Sequence, residues 1–396
     1  MIRQALHSHN EDDSGDDADP GCCKKWCKCL FLAILIWLVI LKYSDTIRFT
    51  PPSPDLSCHA SVTWDDMPET INVEKDVWIS VEGHVSSGSV IVHSMADSGQ
   101  EGSIQTQIHV TPSLVEELSY ELHDGRQTQL TIRLPQQGDH CVQVDMEIYL
   151  PDKAEQLRLS INNVPIKVMD PQSHMDLTDL RTTNAPIDLS NAWEGKRLTL
   201  QTANADIHMS SGDIEARDTV HLETANGAIH AANILSKHYI DLINANGVVQ
   251  ADLLQGDDRV HVETTNAEVR IDKVSSDKAS IISSNGWIQV NHAVAQDSLV
   301  AKTSNAPIDI HVEQVKNGHT QLTTGNSPVT VHMTREYEGS ITFTTSKDNA
   351  VNVHDAPENF DYDRNESYEK RGMRLSGNGE LSVMTTNADA DIFFDI

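Results

Sequence analysis

The sequence predicts an all-β chain in which a β-solenoid follows an N-terminal β cap and a single transmembrane helix. Three observations carry that expectation. An asparagine recurs about every twenty residues, the residues around it keep one register, and the only long apolar run lies near the N-terminus, ahead of all the repeats.

The asparagines are Asn163, Asn184, Asn204, Asn226, Asn246, Asn266, Asn285, Asn305, Asn326, Asn349 and Asn387. Successive steps are 21, 20, 22, 20, 20, 19, 20, 21, 23 and 38 residues, so the last step contains an insertion. The next residue is small in every coil but the first: Ala185, Ala205, Gly227, Gly247, Ala267, Gly286, Ala306, Ser327, Ala350 and Ala388, against Val164. Three residues past the asparagine stand Ile166, Ile187, Ile207, Ile229, Val249, Val269, Ile288, Ile308 and Val329. Two before it is usually Thr (Thr182, Thr202, Thr224, Thr264, Thr303, Thr324, Thr385), and four before it an aliphatic such as Leu180, Leu200 or Leu222. Period-two alternation on both sides predicts two strands per coil, joined by a bend at Asn-Ala or Asn-Gly. Asn tolerates tight-turn dihedrals, and a small neighbour lets the next coil come close. Parallel stacking at about 4.8 Å superimposes equivalent side chains, which predicts an internal asparagine ladder and a rod of roughly 50 Å.

Taken in order, residues 1–21 hold Glu11, Asp12, Asp13, Asp16, Asp17 and Asp19 and read as a disordered acidic cytosolic tail. Residues 22–43 form a Cys/Lys-rich juxtamembrane segment and anchor whose apolar run, residues 29–41, is the expected membrane partner. Thirteen residues span roughly 20 Å as a helix, short for a bilayer core of about 30 Å, but Lys28 and Lys42 can snorkel and Trp26 and Tyr43 sit at interface positions. No small-x-small cleavage site follows the run, which favours an uncleaved signal-anchor. Lys24, Lys25 and Lys28 before it outweigh Lys42 and Arg48 after it, placing the N-terminus in the cytosol and the rest outside or in the lumen. Cys22, Cys23, Cys27 and Cys29 crowd the cytosolic edge and are candidates for S-acylation. Residues 44–55 read as a Pro-rich stalk. Residues 56–160, with alternating runs such as Val77–Val81 and Gln129–Leu134, read as an irregular cap or first wide coils, and 161–396 as the solenoid with a polar loop inserted at 355–372. Cys58 and Cys141 are the only cysteines beyond the anchor, a candidate disulfide, and Asn365 heads the one N-x-S/T sequon there, a candidate glycosylation site.

A net charge of -30 argues against a nucleic-acid partner. Alternation puts Asp188, His208, His230, Gln250, Arg270, Gln289, Asp309 and Thr330 outside in one column and His221, Asp241 and His261 in another, beside Glu223 and Glu263. Stacked His, Asp and Glu are metal-ligand types. Flat strand faces rarely converge three of them, so charge pairing along the column is the expected role. Asp206, Asp213, Asp252 and Asp272 fall on turns and outer faces, without the paired-carboxylate pattern of glycan cleavage. Trp193 and Trp287 are the expected sugar-stacking aromatics. No residue is assigned to catalysis, a cofactor or a metal.

The coils resemble the putative-adhesin family of domains of unknown function, β-solenoids with T-x-N-G/A-x-I-x-V coils. The matching stretches are Thr202–Ile207, Thr224–Ile229 and Ser283–Ile288. The likeness covers residues 160–396 well and 56–160 loosely, and an anchor ahead of an acidic ectodomain resembles the fungal members. It implies architecture and brings no catalytic residues. The expected function is a membrane-anchored, non-enzymatic, adhesin-like surface or scaffold protein with glycan or protein ligands. The alternative is a carbohydrate-active enzyme on a β-helix scaffold.

Overall fold

A computed structural model describes residues 62–95, 101–136, 141–313, 317–375 and 377–395. The acidic tail, the apolar run, the four juxtamembrane cysteines, the stalk and Cys58 lie outside them. Among the described residues no helix is long and apolar enough to cross a membrane.

The described residues form a parallel β-solenoid. Coil upon coil pairs in register about twenty residues apart, as in Ile207↔Ile229↔Val249↔Val269↔Ile288↔Ile308↔Val329. A second column runs Leu159↔Leu180↔Leu200↔Leu222↔Leu242↔Val262↔Ile281. Nearly every side chain in these columns is fully buried. Each contributes about 1.5–3 kcal/mol of apolar burial, so the core is one continuous stack, not separate nuclei.

Each central coil has three inward-alternating runs where two were expected. In one coil they are Ile229 and Ala231, then Ile234 and Ser236, then Ile240, Leu242 and Asn244. Corners at Ala232-Asn233 and Lys237–Tyr239 reset the alternation. The extra run uses small residues as often as large ones (Ala216, Ser236, Gly256, Ser276), which hides it in a hydrophobic pattern.

The asparagine ladder is real, but it stands on the outer rim and not in the interior. Nδ2 of Asn204 donates to Oδ1 of Asn184 at 2.5 Å, Asn226 to Asn204 at 2.6 Å and Asn246 to Asn226 at 2.8 Å. The series starts with Asn184 donating to Asn163 and continues through Asn266, Asn285, Asn305, Asn326 and Asn387. From Asn184 to Asn387 every member is exposed. The asparagine is the corner residue of the bend, two residues past the last inward position, and because the chain turns between the two its side chain points away from the core.

The buried polar column is the one two residues earlier. The Thr224 hydroxyl donates to the Ala205 carbonyl of the preceding coil at 3.0 Å and accepts the Gly227 N–H of its own bend at 3.2 Å. Ser283 and Asn244 make the same pair of contacts in their coils. The hydroxyl therefore closes the bend and staples it to its neighbour.

Asn349 is not part of the ladder. Its coil reads Thr345-Ser346-Lys347-Asp348-Asn349, two residues longer between Thr and Asn than its neighbours, and Asn349 turns back to Ser346 Oγ at 2.7 Å. The ladder passes directly from Asn326 to Asn387 at 2.6 Å.

That bypass reflects an order of coils that differs from the order of sequence. His319–Thr323 pairs with Gly379–Met384, which pairs on its other edge with Gly339–Thr344. Val329–Met333 and Val351–His354 likewise flank Ala390–Phe393. The coil of residues 379–393 thus lies between two coils that precede it in sequence. Residues 355–372 are not a loop. Phe360–Asn365 and Glu369–Arg374 form a hairpin whose second strand runs antiparallel to Gly339–Thr344 and covers its edge. Ile392 and Phe394 are buried, and Phe394 packs against Phe360 at 5.4 Å.

The other end repeats the device. Asp76–Glu82 sits between Gln127–Arg133 and Gln156–Ile161, and Ser87–Ser94 between Val142–Leu150 and Ile166–Val168. Ser119–His123 and Gly102–Val110 then close the outermost coil with antiparallel strands. An open parallel edge would recruit strands from other chains, and both ends replace it with short antiparallel segments.

Candidate functional site

The first outer column follows the register expected of it: Asp188, His208, His230, Gln250, Arg270, Gln289, Asp309 and Thr330 lie over one another. The rings of His208 and His230 stack at 5.0 Å. His221, Asp241 and His261 also align, but each pairs locally: His221 with Glu223 at 3.4 Å, His261 with Glu263 at 3.3 Å, and Asp241 with Arg259 at 2.8 Å. The scattered carboxylates have scaffold work. Asp206 accepts the Ala228 N–H at 2.7 Å, Asp213 binds Asn233 at 2.8 Å, and Asp272 binds Asn291 at 2.9 Å.

Trp193 is not a surface platform. It is 1% exposed, and its Nε1 donates to Thr178 Oγ1 at 2.9 Å, because it occupies the unexpected third run of its coil. Trp287 is half-buried.

The aromatic that does reach a groove is Trp78, on the coil of residues 76–94. Arg158 lies on its ring at 4.3 Å, the two being directly paired across adjacent strands. Ser80, Gln129, Thr131 and Ser160 line an open groove of about 210 Å³ around them. Asp179, the carboxylate that lines the groove beside Arg158, is engaged by Arg181 through two hydrogen bonds of 2.7 and 3.1 Å. Among the described residues Arg158 has no ion pair. A guanidinium held over an indole by a cation–π contact still has N–H groups to offer an anion. These residues precede the asparagine register, so only the strand pairing brings Trp78 and Arg158 together.

A second cluster sits on the outer face near the other end, six residues past each asparagine. His311 and His332 are paired in register with ring centroids 4.3 Å apart. Phe393 stacks on His332 at 4.8 Å, and His354 on Phe393 at 4.3 Å. Nδ1 of His332 is held by both carboxylate oxygens of Asp395 at 3.0 Å. Burial first, and then the neighbouring His332, push His311 below the ordinary histidine range. The recurrence of His at this offset in successive coils was present in the sequence, but the outward positions singled out there stopped at the fourth residue past the asparagine.

Asn365 is exposed at the tip of the C-terminal hairpin, where its Oδ1 accepts from Lys370 at 2.7 Å. Cys141 is disulfide-bonded, and its expected partner Cys58 lies outside the described residues.

A capped parallel β-solenoid with a corner Thr-x-Asn-small bend defines the class of protein. The family model described as Toastrack DUF4097 matches residues 80–392, and the chain belongs to that family. A solved structure described as a putative cell adhesion protein from Clostridium sporogenes ATCC 15579 is similar at 8% identity and a TM-score of 0.17, covering 84% of this chain and 99% of that one. No curated protein matches the chain.

Proposed function

We propose that this chain is a membrane-anchored, non-enzymatic, adhesin-like protein whose solenoid engages acidic glycans through the Trp78–Arg158 groove. Residues 29–41 are the anchor in this reading, with the N-terminus cytosolic and the solenoid lumenal or extracellular, the arrangement of the fungal-type members the sequence resembles. The observation that carries the reading is an uncompensated guanidinium, fixed on an indole, in a chain of net charge -30. Most of this surface repels anions; of the two cations lining the groove Arg181 is engaged by Asp179, so Arg158 selects where a carboxylate or sulfate settles. Hydroxyl and amide groups of Ser80, Thr131, Ser160 and Gln129 surround it and suit a polyhydroxyl ligand better than an apolar one.

The test is a glycan array probed with the purified chain and with Arg158→Ala and Arg158→Lys. Acidic glycans bind in preference to their neutral counterparts, Arg158→Ala loses that binding, and Arg158→Lys restores it only in part, because a lysine cannot stack on Trp78 as a plane. Binding indifferent to Arg158, or cleavage of a glycan polymer by the purified chain, overturns the proposal.

A further inference from the structure

We infer that Asp309, His311 and His332 form a binding site for a divalent transition-metal ion of the zinc type on the outer face of the C-terminal coils. The site is separate from the Trp78–Arg158 groove and stands without it.

One ligand atom from each of the three residues lies within 4.8 Å of the other two. Metal–nitrogen and metal–oxygen bonds of about 2.0–2.2 Å place ligand atoms somewhat closer together than that, so small side-chain rotations close the site. The backbone already supplies the convergence. His311 and His332 face each other across one parallel register step, and Asp309 lies two residues before His311 on the same face of its strand. Neither requires a loop to move.

The surroundings are those of a metal-ligating histidine. Asp395 takes the Nδ1 side of His332, which leaves Nε2 as the ligand atom. A carboxylate on the far nitrogen is the usual partner of a metal-bound imidazole, because it fixes the ring and raises its basicity. Phe393 stacks nearly parallel to His332, at 11°, and is itself backed by His354 at 10°, so one face of the His332 ring rests on a fixed wall. His93 shares the carboxylate on Nδ1 and the stacked ring, with Asp170 and Tyr149, while three other histidines differ. His208, His221 and His261 each meet a single acid two residues away in sequence, an arrangement for charge pairing. Only around His311 do two imidazoles and a carboxylate converge among the described residues. Two imidazole nitrogens and one carboxylate oxygen favour zinc, copper, nickel or cobalt over calcium or magnesium, which prefer all-oxygen shells. Three protein ligands leave a fourth position for water or for a group on another molecule.

The test uses the full chain without a polyhistidine tag. Zinc titration by calorimetry and cobalt titration by visible spectroscopy are run on the native chain and on His311→Ala, His332→Ala, Asp309→Asn, Asp395→Asn and His208→Ala. The expected result is one tight site per chain with nitrogen- and oxygen-type cobalt bands. His311→Ala and His332→Ala abolish it and Asp309→Asn weakens it. Asp395→Asn weakens it about 10–100-fold with the stoichiometry kept, as loss of an orienting partner does. His208→Ala leaves it unchanged. Circular dichroism reports whether each variant is folded, and Asp309→Asn, which alters no volume, stands in if an alanine variant is not. No tight site, binding that survives loss of His311 and His332, or sulfur-to-cobalt charge-transfer bands that locate the ion on cysteine would each overturn the inference.

Discussion

The threonine column permits one substitution to be compared at two equivalent positions with opposite expectations. Thr224 is 1% exposed and its hydroxyl makes two hydrogen bonds, to Ala205 at 3.0 Å and from Gly227 at 3.2 Å. Thr→Val keeps the shape and removes both. At about 1 kcal/mol net for each bond, Thr224→Val costs about 2 kcal/mol, and more if the Gly227 N–H stays dry. Thr264 is 2% exposed in the same column two coils on, and its Oγ1 has no partner. A buried hydroxyl without a partner is itself a cost, so Thr264→Val should be neutral or gain about 1 kcal/mol. Solenoid energetics are local to a coil and its neighbours, so the assay is hydrogen exchange followed peptide by peptide. Thr224→Val should lose protection about 30-fold over residues 219–231, the equivalent of about 2 kcal/mol. Thr264→Val should leave residues 258–271 as protected as before. Equal losses at the two positions would refute the assignment of the hydroxyl as the staple and leave only shape.

Two further predictions concern the bends and the closed end. A Cβ on Gly286 would meet the Ala267 carbonyl oxygen at 1.6 Å, so Gly286→Ala should cost at least about 1–3 kcal/mol in urea unfolding, whereas Ala306→Gly at the equivalent position should cost only about 1 kcal/mol. Phe394→Ala removes a wholly buried ring that packs on Phe360 and Tyr337; it should cost about 3–5 kcal/mol, seen as protease cutting in the 355–375 hairpin while exchange over residues 207–264 is unchanged.

The sequence made the period, the bend and two of the three core columns legible, because each repeats one residue type at a fixed offset. It misled on which side of the bend faces inward. Thr and Asn two apart on a strand point the same way, but the corner falls between them, and the buried member is Thr224, not Asn226. The third run escaped because Ala216, Ser236 and Gly256 are buried for their small size and carry no hydrophobic signal. The order of coils at the ends cannot be read from spacing at all, although the lengthened bend from Thr345 to Asn349 marked the coil that leaves the ladder. Trp78 and Arg158 lie where the asparagine register has not begun, so nothing in the sequence aligns them. His311 and His332 were in register with the repeat and fell one outward position beyond those considered.

Placing residues 379–393 between two earlier coils has a consequence for synthesis. Coils that stack in the order they are made can settle on the growing solenoid one at a time. Residues 339–354 cannot, since both of their parallel partners are made later than they are. While translation continues past them, the strand His319–Thr323 presents a bare edge and the next coil waits unattached. A nascent chain stalled or truncated before residue 379 therefore does not lose one coil cleanly; it leaves an open edge and a detached coil together, a form suited to capture by chaperones or by another copy of itself.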